Sequence, residues 1–134
     1  MKRLISLLLF FFLPFSCKKD DISSTFRKKV TGVWELEHFY GIAGIPYPPG
    51  NGRIIALFDN GVFERRQHDT VLFKGKYFLN VKSDCYPRKD NIFFTTNENP
   101  YSWDSYINVN DSGKLVLSSS NCLADGGTSI YRKL

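Results

Sequence analysis

Apolar and polar positions fall into two regimes along this chain. The first is a continuous apolar run, Leu4–Phe15, interrupted only by Ser6 and by Pro14 near its end. At 12 residues it is shorter than the ~20 that a membrane-spanning helix needs, so it predicts a cleaved export signal. The second regime begins at Val30 and is alternation. In Val30–Gly41, Trp34, Leu36, His38 and Tyr40 share one face of a strand, and Val33, Glu35, Glu37 and Phe39 share the other. The first face is expected to point inward. Similar short runs follow at Arg53–Asp59, Val62–Gln67, Val71–Asn80, Asn91–Thr96, Tyr101–Val109, Lys114–Ser119 and Ser129–Leu134. In the Tyr101–Val109 run, Trp103, Ser105, Ile107 and Val109 share a face. Between the two regimes, Lys18–Lys29 is polar with one aromatic, Phe26, and no apolar period. It predicts a tether, with at most a short helical turn before Gly32.

The breaks between runs carry turn chemistry. Asn60-Gly61 between two alternating runs is a strong hairpin signal. Gly75 predicts a kink or bulge inside its strand, and Asn110–Gly113 predicts a turn. Ile42–Gly52 holds three prolines and three glycines in 11 residues and predicts an irregular surface loop with an apolar tip, Ile45 and Tyr47. The sum is about eight short strands and no convincing helix, hence an all-β fold: one antiparallel up-and-down barrel. Eight strands close into a barrel just wide enough for side chains or one small ligand, and closure removes exposed edges.

Composition adds a location. Ser16 and Cys17 directly follow the apolar run, and Lys2 and Arg3 precede it. This resembles a bacterial lipoprotein signal peptide, in which a small residue precedes the cysteine whose thiol is acylated. The resemblance implies processing after Ser16, lipid (palmitate among it) on Cys17, and attachment to a membrane outside the cytoplasm. Pro14 stands where the usual pattern has leucine. An ordinary signal cut near Ser16, or a retained signal anchor, are the competing readings. Lys18-Lys19-Asp20-Asp21 resembles a signal that sorts lipoproteins to the outer face of the outer membrane. The division is then 1–16 signal, 17–29 lipidated cysteine and tether, and 30–134 one folded domain.

Removing Met1–Ser16 leaves 118 of the 134 residues, enough for one domain. It also takes Lys2 and Arg3, leaving 16 basic against 13 acidic residues. These are scattered and build no stripe, which argues against nucleic acid. With Cys17 committed to lipid, Cys85 and Cys122 are an even pair in an oxidising compartment and predict a disulfide. They lack a metal-binding spacing with His38 or His68, so neither a metal nor another cofactor is expected.

Several residues are familiar once the strands are in order. Gly32-Val33-Trp34 resembles the G-x-W that opens the first strand of lipocalins. Tyr131-Arg132 resembles the last-strand region whose arginine packs over that tryptophan. The order G-x-W, Asn-Gly turn, Gly75-Lys76-Tyr77, Leu115-Val116-Leu117, cysteine and Asp125-Gly126 is similar to the small lipocalin-like domains of secreted bacterial lipoproteins. The resemblance implies a barrel closed at the Trp34 end, with Gly32, Trp34 and Arg132 as its structural signature and Ile42–Gly52 as a partial lid.

Catalytic patterns are missing from the sequence: no serine sits in G-x-S-x-G, and neither histidine has an acid at a telling spacing. No enzyme is expected. Glu64-Arg65-Arg66 reads as an exposed strand face with ion pairs. Asn108, Asn110, Ser112 and Gly113 imitate the start of a calcium loop, but its twelfth position would be Ser119 rather than glutamate. Tyr40, Tyr47, Phe73, Tyr77, Trp103 and Tyr106 are the ligand-binding candidates, against plain core packing. Two functions are therefore expected in competition. One is binding of a small apolar or amphipathic ligand without chemistry. The other is a protein-interaction module, either a subunit of a surface assembly or an inhibitor of a wall-degrading enzyme. A cavity of ~300 Å³ or more beneath Pro46–Pro49 would favour the first. A filled barrel with an exposed patch around Tyr47 and Tyr101 would favour the second.

Overall fold

In a computed structural model of the chain, the described residues are 22–81, 91–97, 102–119 and 126–134. They form one short helix, α1 (Ile22–Val30), and nine strands: β1 (Gly32–Tyr40), β2 (Gly44–Pro46), β3 (Arg53–Leu57), β4 (Val62–Gln67), β5 (Thr70–Leu79), β6 (Asn91–Thr96), β7 (Ser102–Val109), β8 (Leu115–Ser119) and β9 (Thr128–Lys133). β1 and β3 to β9 pair antiparallel in chain order, and β1 closes on β9 from Trp34↔Lys133 to Tyr40↔Thr128. The result is a closed eight-stranded antiparallel barrel. β2 is a short extra strand on the upper part of β1, pairing at His38–Tyr40, while β3 takes the lower part at Gly32–Glu35. The Pro- and Gly-rich stretch is thus not wholly irregular.

Alternation builds the interior. Trp34, Ile55, Leu57, Phe63, Tyr77, Ile92, Phe94, Ile107 and Leu115 are all buried and pack as one cluster. Phe94 lies between two aromatic partners. Its ring stacks on Trp103 at 4.9 Å and meets the Phe63 ring edge-on at 4.9 Å, both favoured aromatic arrangements. At Gly61 the hairpin turn takes a φ of 80°, which glycine adopts without steric cost. Gly75 serves a different purpose from the expected bulge. A Cβ there would lie 1.8 Å from the Thr95 carbonyl oxygen, so glycine lets β5 and β6 approach. The bulge in β5 falls instead at Leu72, where pairing with β4 jumps from Phe73 to Val71.

The lower end, where β1 begins, is closed by α1. This helix replaces most of the expected tether over Ile22–Lys29. Nine residues are too few for a stable isolated helix, so tertiary contacts must hold it. Val30 is fully buried and Phe26 packs on the core. The Trp34 indole donates to the Val30 carbonyl at 2.9 Å. The Thr31 amide and hydroxyl both bond the Arg27 carbonyl, satisfying the helix end. Arg27 lies 5.5 Å over the Tyr77 ring, whose hydroxyl donates to the Phe58 carbonyl at 2.6 Å.

Register also decides which cation meets Trp34. Trp34 pairs with Lys133, and Glu35 pairs with Arg132. Lys133 Nζ therefore sits 5.3 Å over the tryptophan ring, in the place expected for Arg132. Arg132 projects from the opposite, outer wall.

Candidate functional site: a half-polar pocket at the upper end of the barrel

Two features of the upper end follow from one extra residue. Pairing between β1 and β9 slips between Leu36 and His38, leaving Glu37 as a bulge. A slip of one residue exchanges the faces of everything beyond it. Phe39 then lines the interior. His38 and Tyr40, expected inside, stack on one another outside at 4.1 Å, with Tyr40 exposed.

The loop after β2 takes the outer wall. Glu35 is 3% exposed although it faces away from the barrel interior. Its carboxylate accepts the backbone amides of Gly50 and Gly52, each at 3.1 Å. Arg132 approaches it at 3.6 Å and donates to the Tyr47 carbonyl at 2.7 Å. The Asn51 side chain adds bonds to the Leu36 and Pro48 carbonyls, and Gln67 and His68 meet the same loop at Asn51 and Gly52. Neither cavity described below is lined by residues 42–52, so the expected lid is a strap along the outside of β1.

One cavity lies inside the upper barrel and measures about 130 Å³. Phe39, Ile55, Trp103 and Leu117 give it apolar walls; Arg65, Tyr131, Ser105, Ser119 and Ser129 give it polar ones. A second hollow of about 100 Å³ shares Arg65 and Tyr131 and reaches Leu72 and Arg53 at the rim. Each is smaller than the ~300 Å³ expected of a typical ligand site.

Arg65 is exposed to solvent, as the sequence predicts, yet its strand register places it on the inner row. Period two from the fully buried Phe63 puts Arg65 on the inner face, directly opposite Phe73 and Ile55. Its neighbours Glu64 and Arg66 project outward, and Glu64 is bound there by both Arg66 and Lys74. Those hydrogen bonds hold the Glu64 carboxyl below its ordinary range. The three residues therefore do not share one face, although Arg65 is exposed and Glu64 carries the expected ion pairs. Among the described residues, Arg65 has no hydrogen-bond or ion-pair partner. Its charge acts on Tyr131, whose phenol is pushed up by burial while the Arg65 charge and a Ser129 hydrogen bond pull the other way. Tyr131 is thus a neutral hydroxyl at ordinary pH. The Ser119 hydroxyl is committed to the Gly127 backbone, accepting its amide at 2.7 Å and donating to its carbonyl at 2.9 Å.

Of the six aromatic candidates, Trp103 lines the upper cavity. Tyr77 is core, Phe73 is half-exposed at the rim, and Tyr40 and Tyr106 lie on outward-facing positions. Tyr47 sits on the strap, with Arg53 4.8 Å above its ring. Cys17, Cys85 and Cys122 lie outside the described residues. The residues flanking the last two stand at opposite ends of the barrel: Val81 and Asn91 at the lower, Ser119 and Gly126 at the upper. Among the described residues, no cluster suits a metal ion and no helix is long and apolar enough to cross a membrane.

Fold and site together define a class: a small closed antiparallel barrel, sealed by a helix below and hollow above. No protein-family model, no curated protein and no solved structure matches the chain.

Proposed function

We propose that this chain is a lipoprotein tethered through Cys17 to a membrane outside the cytoplasm, and that its barrel binds a small amphipathic molecule without chemistry. The observation that carries the binding part is the upper cavity: apolar on one side, with an unpaired guanidinium and hydroxyls on the other. Ligand pockets have this makeup, mostly apolar walls with a few placed polar groups. A cavity of about 130 Å³ selects small ligands, or the head of a longer one whose tail leaves past Leu72 and Phe73. The signal-like run, Ser16-Cys17 and the lipocalin-like motif order support the tether and a carrier role. Native mass spectrometry of protein purified from its own host tests both parts. The account expects a lipid-bearing N-terminus and a co-purified small mass. An unmodified Cys17 would refute the tether, and an empty barrel from several preparations would count against a bound ligand.

A second reading has its own observation. Val71, Leu72 and Phe73 are each about half exposed on the β4–β5 hairpin, above the last β6 pairing at Gly75↔Thr96. An apolar strip of this kind suits a protein partner. Crosslinking in intact cells from a photoreactive residue at Leu72 would capture that partner; labelling of lipid alone would argue against it.

A further inference from the structure

The chemistry of the upper pocket goes further than "amphipathic", granted the reading that it takes a small molecule. We propose that the pocket selects a monoanionic carboxylate, an alkyl or aryl acid, and that Arg65 reads its charge.

Three observations converge. First, Arg65 is a solvent-exposed cation on the inner row of β4 that lines both hollows and has no hydrogen-bond or ion-pair partner among the described residues. Arg53 and Arg66 line the second hollow only, Arg66 paired with Glu64 and Arg53 lying over the Tyr47 ring. Second, among the described residues no acidic side chain lines either hollow, so none of them competes there for the guanidinium. Third, the remaining polar groups of the upper cavity are neutral. Tyr131 is held protonated by burial and can donate, as can Ser105.

In the upper cavity, one positive charge and neutral donors match an anion of charge −1. A phosphate monoester near −2 would leave a charge without a cation beside Phe39, Ile55 and Leu117, whose side chains offer it no hydrogen bond. The planar guanidinium fork also fits two carboxylate oxygens at once. The apolar remainder of the acid would lie against Trp103, Ile55 and Leu117, or leave past Leu72. A cationic ligand is excluded by the same charge.

The test is isothermal titration of the full-length protein in lipid nanodiscs, with protein-free nanodiscs as blank. Four probes share one tail: octanoate, octyl phosphate, octan-1-ol and octylamine. Octanoate should bind at least about 10-fold more tightly than octanol, consistent with a hydrogen-bonded charge, and octylamine should not bind. Arg65→Gln should weaken octanoate about 10- to 100-fold and leave octanol unchanged. Arg65→Lys should retain part of the affinity, because charge survives without the fork. Tyr131→Phe should weaken octanoate a few-fold. Equal affinity for octanoate and octanol, or an Arg65→Gln protein that binds octanoate like wild type, would overturn the charge assignment while leaving a small-molecule pocket standing. Tighter binding of octyl phosphate would overturn the carboxylate assignment. Failure of all four probes would remove the small-molecule reading itself.

Discussion

The two ends of the barrel are built from the same alternating strands and come to opposite results. At the lower end, inward positions carry Trp34, Leu57, Tyr77 and Leu115, and α1 covers them with Val30 and Phe26. Two polar groups there, the Trp34 indole and the Tyr77 hydroxyl, are satisfied by backbone carbonyls. At the upper end the same inward rows continue as Arg65, Ser105, Ser119 and Ser129. Small and charged residues cannot fill a barrel, so space remains. The lesson is that a strand's inner row has to be followed to its end. A row that turns polar while still facing inward marks a pocket, whereas one that stays apolar marks core.

This contrast can be broken from the lower end first. Phe63 is fully buried and touches both Phe94 and Trp103. Phe63→Ala should cost about 3–5 kcal/mol in denaturant unfolding; a loss below about 1 kcal/mol would mean the core is looser than described. Glu35→Ala should come next. It removes two amide acceptors and the partner of Arg132, a loss of about 2–3 kcal/mol for bonds to a charged group. Hydrogen exchange at Gly50 and Gly52 should accelerate while β6 and β7 stay protected. Trp34→Phe orphans the Val30 carbonyl at a cost of about 1–3 kcal/mol, and exchange should rise in α1 specifically. Arg65→Gln belongs at the bottom of the stability scale. A side chain with no described partner should change unfolding by no more than about 0.5 kcal/mol, although it should abolish most acid binding.

A pH series sharpens the outer wall. Glu64 and Glu37 both have carboxyls held below their ordinary range, chiefly by hydrogen bonds from Arg66 and from Lys114. A depressed folded-state value means that the stabilisation is present above the unfolded value and fades as pH falls from about 5. Glu64→Gln should therefore flatten part of the stability loss between pH 6 and pH 3, roughly the span over which such carboxylates protonate. An unchanged slope would show that the pair contributes nothing measurable, as many surface pairs do.

How much of this could be read beforehand depended on the range of the physical cause. Strand positions, the Asn60-Gly61 hairpin and barrel closure were legible because period two and turn chemistry are local. The helix was not, since its stability comes from Phe26 and Val30 meeting the core rather than from a repeated apolar period. The face of β1 was legible up to Leu36 and then failed, because nothing in the sequence announces the bulge at Glu37. The strap was misplaced for a similar reason: Glu35 holds Gly50 and Gly52 across 15 and 17 residues. Lys133 rather than Arg132 meets Trp34 because one step of register separates them. Arg65 was legible in part. It is exposed, as the charged triplet suggests, while counting by twos from Phe63 puts it on the inner row.

The central claim is that a small molecule enters the upper half of the barrel and only that half. Amide chemical-shift mapping during an octanoate titration tests it most directly. The account predicts shifts at Phe39, Arg65, Ser105, Leu117, Ser129 and Tyr131, with Val30, Leu57 and Tyr77 unmoved. Shifts concentrated on the lower end or on the outer strap, or none at saturating octanoate, would contradict it.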